Sequence, residues 1–127
     1  MSRVLVIEDE DLQRTAFVRA LSKLEECCVI GVGSLEAALE SIDAQRPDVI
    51  VSDIGLPDRL GVELVKELSI RGIDVPVLFV TADVHTYRHL VPVGVPLMEK
   101  PVPLVTLREM IRQMLAHLDV EVARLVG

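Results

Sequence analysis

Short, strongly apolar runs recur along this chain, and the segments between them carry helical spacing. That alternation restricts the fold more than any other feature. The first run, RVLVIE over residues 3–8, is continuous and rich in β-branched residues, as expected of a strand buried on both faces. Residues 9–26 follow with Leu12, Phe17 (or Ala16), Leu21 and Leu24 at helical intervals. CCVIGVG, residues 27–33, reads as a second strand. Ser34 then stands as the N-cap of a helix over 35–46, with Glu36 in its first turn and Pro47 closing it. DVIVSD (48–53) is the third strand, GLPDRLG (55–61) a loop, and VELVKELSIRG (62–72) a helix stopped by Gly72. VPVLFVTA (75–82) is the fourth strand. DVHTYRHLVPVGVP (83–96) opens like a helix, but Pro92, Gly94 and Pro96 crowd its second half, so the fourth helix is expected to be short or irregular. LMEK (97–100) is a brief fifth strand, and residues 104–125 form the last helix.

Strands alternating with helices in this way predict an α/β fold: one five-stranded parallel sheet with helices on both faces, in the flavodoxin-like order 2-1-3-4-5. The 127 residues suit one domain spanning 1–127. Half the residues are hydrophobic but only 2% are aromatic, so the core must be aliphatic. A net charge of −7 argues against nucleic-acid binding, which needs a basic footprint. Met1-Ser2-Arg3 runs straight into the first strand without a cleavage signal, and no apolar run approaches a membrane span, so a cytoplasmic location is expected. Adjacent Cys27 and Cys28 fit no disulfide or zinc spacing and read as buried small hydrophobes.

The first strand ends in EDED, four acids with no basic neighbour. In an open parallel sheet, ligands gather at the carboxyl ends of the strands. That rule brings Glu8, Asp9, Asp53, Thr81 and Lys100 to one rim. Three carboxylates that close need a counter-charge, and a hard divalent cation such as Mg²⁺ supplies it. Asp9 and Asp53 are expected as direct ligands, Glu8 through water, and the Gly55 carbonyl as a further oxygen. Lys100 and Thr81 suit an anion with three oxygens, hence a phosphoryl group on Asp53 as nucleophile. Glu10 and Asp11 read as the acidic first turn of the first helix. His85 and His89 lie four apart but lack a third ligand for zinc. Met and Leu in MIRQMLAHL read as core packing.

With VLVIEDE, VSDIGLPDRLG, FVTAD and MEKP in their observed order, the chain resembles a response-regulator receiver domain of two-component signalling over its whole length. The resemblance implies Asp53 as phosphoacceptor, Mg²⁺ dependence, slow self-dephosphorylation, no other enzymatic activity, and a cis Lys100–Pro101 bond. It implies a histidine kinase or histidine phosphotransfer protein as donor, a downstream protein target, and a monomer or weak homodimer. Met1 so near the first strand favours a stand-alone receiver; a receiver cut from a hybrid histidine kinase, acting as relay or phosphate sink, is the alternative. The family's usual aromatic residue three positions before the Lys is here Leu97, which puts the usual aromatic switch in doubt; Tyr87 reads as an exposed or packed tyrosine rather than a replacement for it. Gly55 offers no side chain to cover Asp53, so the phosphoaspartate is expected to be open to water or a phosphatase. Two rivals fall on single positions. A haloacid-dehalogenase-type phosphatase needs an Asp where Gly55 stands, and a flavodoxin needs a hydroxyl-rich phosphate loop where the acids stand.

Overall fold

In a computed structural model, which describes residues 1–126, the apolar runs pair into one parallel sheet. Its strands are β1 (Ser2–Ile7), β2 (Cys27–Val32), β3 (Val49–Asp53), β4 (Val77–Thr81) and β5 (Leu97–Glu99), in the order β2-β1-β3-β4-β5. The helices are α1 (Asp11–Leu21), α2 (Leu35–Ala44), α3 (Glu63–Ile70), α4 (Val84–Tyr87) and α5 (Leu104–Val126), with a 3₁₀ turn over Arg88–Leu90 after α4. The predicted architecture and strand order are those observed.

Successive side chains of a strand face opposite ways, so each central strand feeds two cores. Leu5, Ile7, Ile50, Val77 and Phe79 pack under Leu35, Leu39 and Ile42 of α2 and Leu64 and Leu68 of α3. Val4, Val6, Val49, Val51, Leu78 and Val80 pack under Phe17 and Leu21 of α1 and Leu107 and Ile111 of α5. Each such Leu, Ile or Phe contributes about 1.5–3 kcal/mol by leaving water. β3 and β4 are buried along almost their whole length, as the apolar runs 49–51 and 77–80 require.

Several boundaries follow from local chemistry. Ser34 caps α2 as expected, its hydroxyl accepting from Ala37 N–H at 3.1 Å. Gly72 takes φ +66° just past α3, a conformation that costs a residue with a Cβ. α4 is a single turn with no buried residue, held by Asp83, whose carboxylate accepts from Thr86 N–H at 3.1 Å. The Met and Leu stripe of α5 does pack on the sheet, through Met110, Met114, Leu115 and Leu118.

Two expectations on packing need correction. Leu12 is 82% exposed; α1 starts at Asp11 and buries Phe17, Ala20 and Leu21, which leaves Leu12 on the solvent side. Leu24 lies beyond the end of α1 and packs on the core from the connecting turn. Cys27 and Cys28 are free thiols, as expected, but only half-buried, because they open β2 at the sheet edge. Burial still pushes the Cys27 thiol up, helped by Cys28 and Asp48.

Candidate functional site

The carboxyl edge of the sheet collects the acids. Glu8 follows β1 directly, and its N–H continues the ladder by donating to Val32 O at 2.9 Å. Its side chain turns inward and is 1% exposed. Asp53 ends β3 with its side chain 13% exposed, while Asp9 is open to solvent. Ligand oxygens of Glu8, Asp9 and Asp53 all lie within 4.8 Å of one another. Lys100, next after β5, extends Nζ between two of them: it donates to Glu8 Oε1 and, at 2.9 Å, to Asp53 Oδ2. Those contacts span 92 and 47 residues of sequence.

The charges are not in balance. Desolvation pushes the Glu8 carboxyl up; the Lys100 ammonium and the Glu10 N–H oppose that, the Asp53 charge adds to it, and the net shift is upward. Burial alone would lower the Lys100 ammonium, but its bonds to Glu8 and Asp53 outweigh burial and hold it above its usual range. One ammonium against three carboxylates leaves negative charge unmet. The side chains on offer are all hard oxygens, a set that fits a hard divalent cation such as Mg²⁺. The Gly55 N–H donates to Asp53 Oδ1 at 3.2 Å, and the Gly55 carbonyl accepts no hydrogen bond from any described residue.

Thr81 closes β4 and is 2% exposed. Its hydroxyl accepts from Asp83 N–H at 3.1 Å, so its own proton remains available to donate. Its carbonyl accepts from Lys100 N–H at 2.8 Å, which ties the two residues together ahead of the cis Lys100–Pro101 bond. The chain therefore brings Glu8, Asp9, Asp53, Gly55, Thr81 and Lys100 to one edge, as the strand-end rule anticipates. His85 and His89 are both exposed and outside the acidic cluster.

Other residues at this edge carry no signal that sequence alone would single out. Arg14 reaches back from α1 and donates to Glu8 O at 2.9 Å while pairing with Asp11, so it steadies the loop that presents Glu8 and Asp9. Gly31 on β2 makes room for it: a Cβ there would come within 3.0 Å of Arg14 Cγ and 2.9 Å of Val18 Cγ2. Asp58 accepts from Leu35 N–H at 3.1 Å and Glu36 N–H at 2.9 Å, joining the loop after Asp53 to the start of α2. Gly61 closes that loop, its N–H donating to Ile54 O at 2.6 Å with its Cα against the Asp53 carbonyl.

Residues 4–112 match the family model described as the response regulator receiver domain. The chain belongs to the response-regulator receiver family. The DNA-binding transcriptional activator DevR/DosR of Mycobacterium tuberculosis is 36% identical over 83 residues, covering 65% of this chain and 38% of that protein. Response regulator GacA of Pseudomonas aeruginosa is 34% identical over 82 residues, covering 64% of this chain and 38% of its own length. The receiver thus spans well under half of these relatives. Among solved structures, the receiver domain of a LuxO-type repressor from Vibrio parahaemolyticus superposes with a TM-score of 0.84 at 23% identity, covering 94% of each chain. The PhyR receiver domain of Erythrobacter litoralis gives 0.76 at 29% identity, covering 90% of this receiver and 89% of that chain. No described helix of the receiver is long and apolar enough to cross a membrane.

Proposed function

We propose that this receiver is an Mg²⁺-dependent phosphoacceptor whose nucleophile is Asp53, switched by a histidine kinase or histidine phosphotransfer protein. The observation that carries the reading is the convergence of Lys100 Nζ on Asp53 Oδ2 at 2.9 Å beside the Glu8–Asp9–Asp53 cluster. An Asp53 oxygen bonds to phosphorus as the P–N bond of the donor's phosphohistidine breaks, and the electron pair stays on the imidazole nitrogen, which takes up a proton. Asp9 and Asp53 would hold the cation directly, Glu8 through water and Gly55 through its carbonyl; the bound ion supplies charge neutralisation at the phosphoryl oxygens. Lys100 shifts its ammonium from the carboxylates onto a phosphoryl oxygen, and the Thr81 hydroxyl donates to another. The protein has no other catalysis than its own phosphorylation and dephosphorylation.

Phosphorylation biases the Thr81 loop and the α4–β5 side toward a second arrangement that a downstream protein recognises. With Leu97 partly buried and packed against the core, that bias passes through aliphatic packing at β5. Intact mass after incubation with acetyl phosphate and Mg²⁺ tests the reading. One added phosphoryl group is expected, absent with EDTA and absent in Asp53→Ala. Uptake that survives Asp53→Ala would refute it.

A further inference from the structure

Asp53 has a bare flank, because the residue two positions on is Gly55. A Cβ built on Gly55 meets a single neighbour outside its own stretch of chain, the Tyr87 hydroxyl, at 3.8 Å. The Gly55 N–H donates to Asp53 Oδ1 at 3.2 Å, so the phenol borders the residue that hydrogen-bonds the carboxylate. Tyr87 ends α4 and is half-buried, packed against the core. Its hydroxyl makes no hydrogen bond with any described group, and α4 buries none of its own residues. A large side chain thus reaches the residue beside the acidic site with no hydrogen bond to account for it. The space that Gly55 leaves is bordered by a side chain from another part of the chain.

We propose that Tyr87 shields the phosphoaspartate and sets how fast water removes the phosphoryl group. This rests on Asp53 being the phosphoacceptor. In that hydrolysis the water oxygen bonds to phosphorus, the P–O bond to Asp53 breaks, its electron pair returns to the carboxylate, and inorganic phosphate leaves with the water's protons. Water must enter in line, opposite the bond that breaks. A side chain flanking that line slows the step by excluding water, and the Tyr87 ring does so where a side chain at position 55 is missing.

The test loads the protein with acetyl phosphate and Mg²⁺, removes the donor, and follows phosphoryl loss by intact mass. Tyr87→Ala is expected to lose the group on the order of tenfold faster than wild type. Tyr87→Phe keeps the ring and should stay within about twofold. In the Tyr87→Ala background, Gly55→Met is expected to slow the loss back toward the wild-type rate. That rescue comes from a different segment, so a purely structural role for Tyr87 in α4 would not produce it. Unchanged loss in Tyr87→Ala, or faster loss that Gly55→Met leaves uncorrected, would each overturn the shield. Tyr87→Leu keeps an apolar side chain against the core but not the ring, and carries the same expectation where Tyr87→Ala fails to fold. Failure of wild type to take up any phosphoryl group is seen before the loss phase begins and overturns the phosphoacceptor reading as well.

Discussion

Removing the Asp58 side chain should loosen α2 from a distance. The first N–H groups of a helix have no partner within it. In α2, Ser34 satisfies Ala37, and the Asp58 carboxylate, 23 and 22 residues further along, satisfies Leu35 and Glu36 at 3.1 and 2.9 Å. Asp58→Ala leaves those two donors to water. Loss of such a cap costs about 0.5–2 kcal/mol. Loss of an exposed anion at a helix N-terminus costs about 0.3–1 kcal/mol. Because Asp58 is exposed and water replaces part of each, the expected total is about 1–2 kcal/mol, or roughly 3–8 °C in melting temperature for a domain of this size. Asp58→Asn keeps one acceptor and should lose about half as much. Partial burial raises the Asp58 carboxyl, but the N–H groups of Glu36, Leu35, Asp58 and Arg59 outweigh it and hold the group below its usual range. A lowered carboxyl contributes stability above its unfolded value, near 3.9, and loses it as pH falls through the folded one. The gap between wild type and Asp58→Ala should therefore be flat above about pH 5 and narrow toward acid. Thermal denaturation followed by circular dichroism at several pH values measures both. A melting temperature within about 1 °C of wild type, or a gap that widens toward acid, would refute the reasoning.

Two further perturbations address the site. Gly61→Ala would drive a Cβ into the Asp53 carbonyl oxygen and to 3.0 and 3.1 Å from Asp53 C and Ile54 Cα, backbone atoms that cannot rotate away. Overpacking of about 1–3 kcal/mol and phosphoryl uptake slower on the order of 100-fold are expected. Gly72→Ala, at φ +66° with no neighbour within 4 Å, should lose stability but keep uptake, and equal uptake in both variants would sink the argument. Glu8 carries a raised carboxyl, so metal-free protein should lose stability as pH rises from the ordinary carboxylate range through that raised value. Glu8→Gln should flatten this slope, raise the metal-free melting temperature at neutral pH, and reduce the gain on adding Mg²⁺; a slope unchanged by the substitution would count against it.

Much of the fold was legible because it rests on local periodicity. Uninterrupted runs such as Val4–Ile7 and Val77–Val80 have a buried strand as their stable environment, and Ser34 and Gly72 mark ends through backbone chemistry that needs no distant partner. Leu12 misled because helical spacing specifies a stripe but not which of its marginal members meets the sheet. Cys27 and Cys28 misled because edge and centre strands look alike until strand order is known.

By itself the sequence determined the order of elements, the short fourth helix, and which acids, hydroxyl and lysine stand at strand ends, since each follows from residues within a few positions. Only the tertiary structure decided that Lys100 bridges Glu8 and Asp53, that Arg14 holds the Glu8 carbonyl, that Asp58 caps a helix two elements earlier, and that Tyr87 faces Gly55. These contacts join residues brought together by sheet order and loop closure. Their formation depends on where the packed core places side chains to within a fraction of an ångström, which no local pattern encodes.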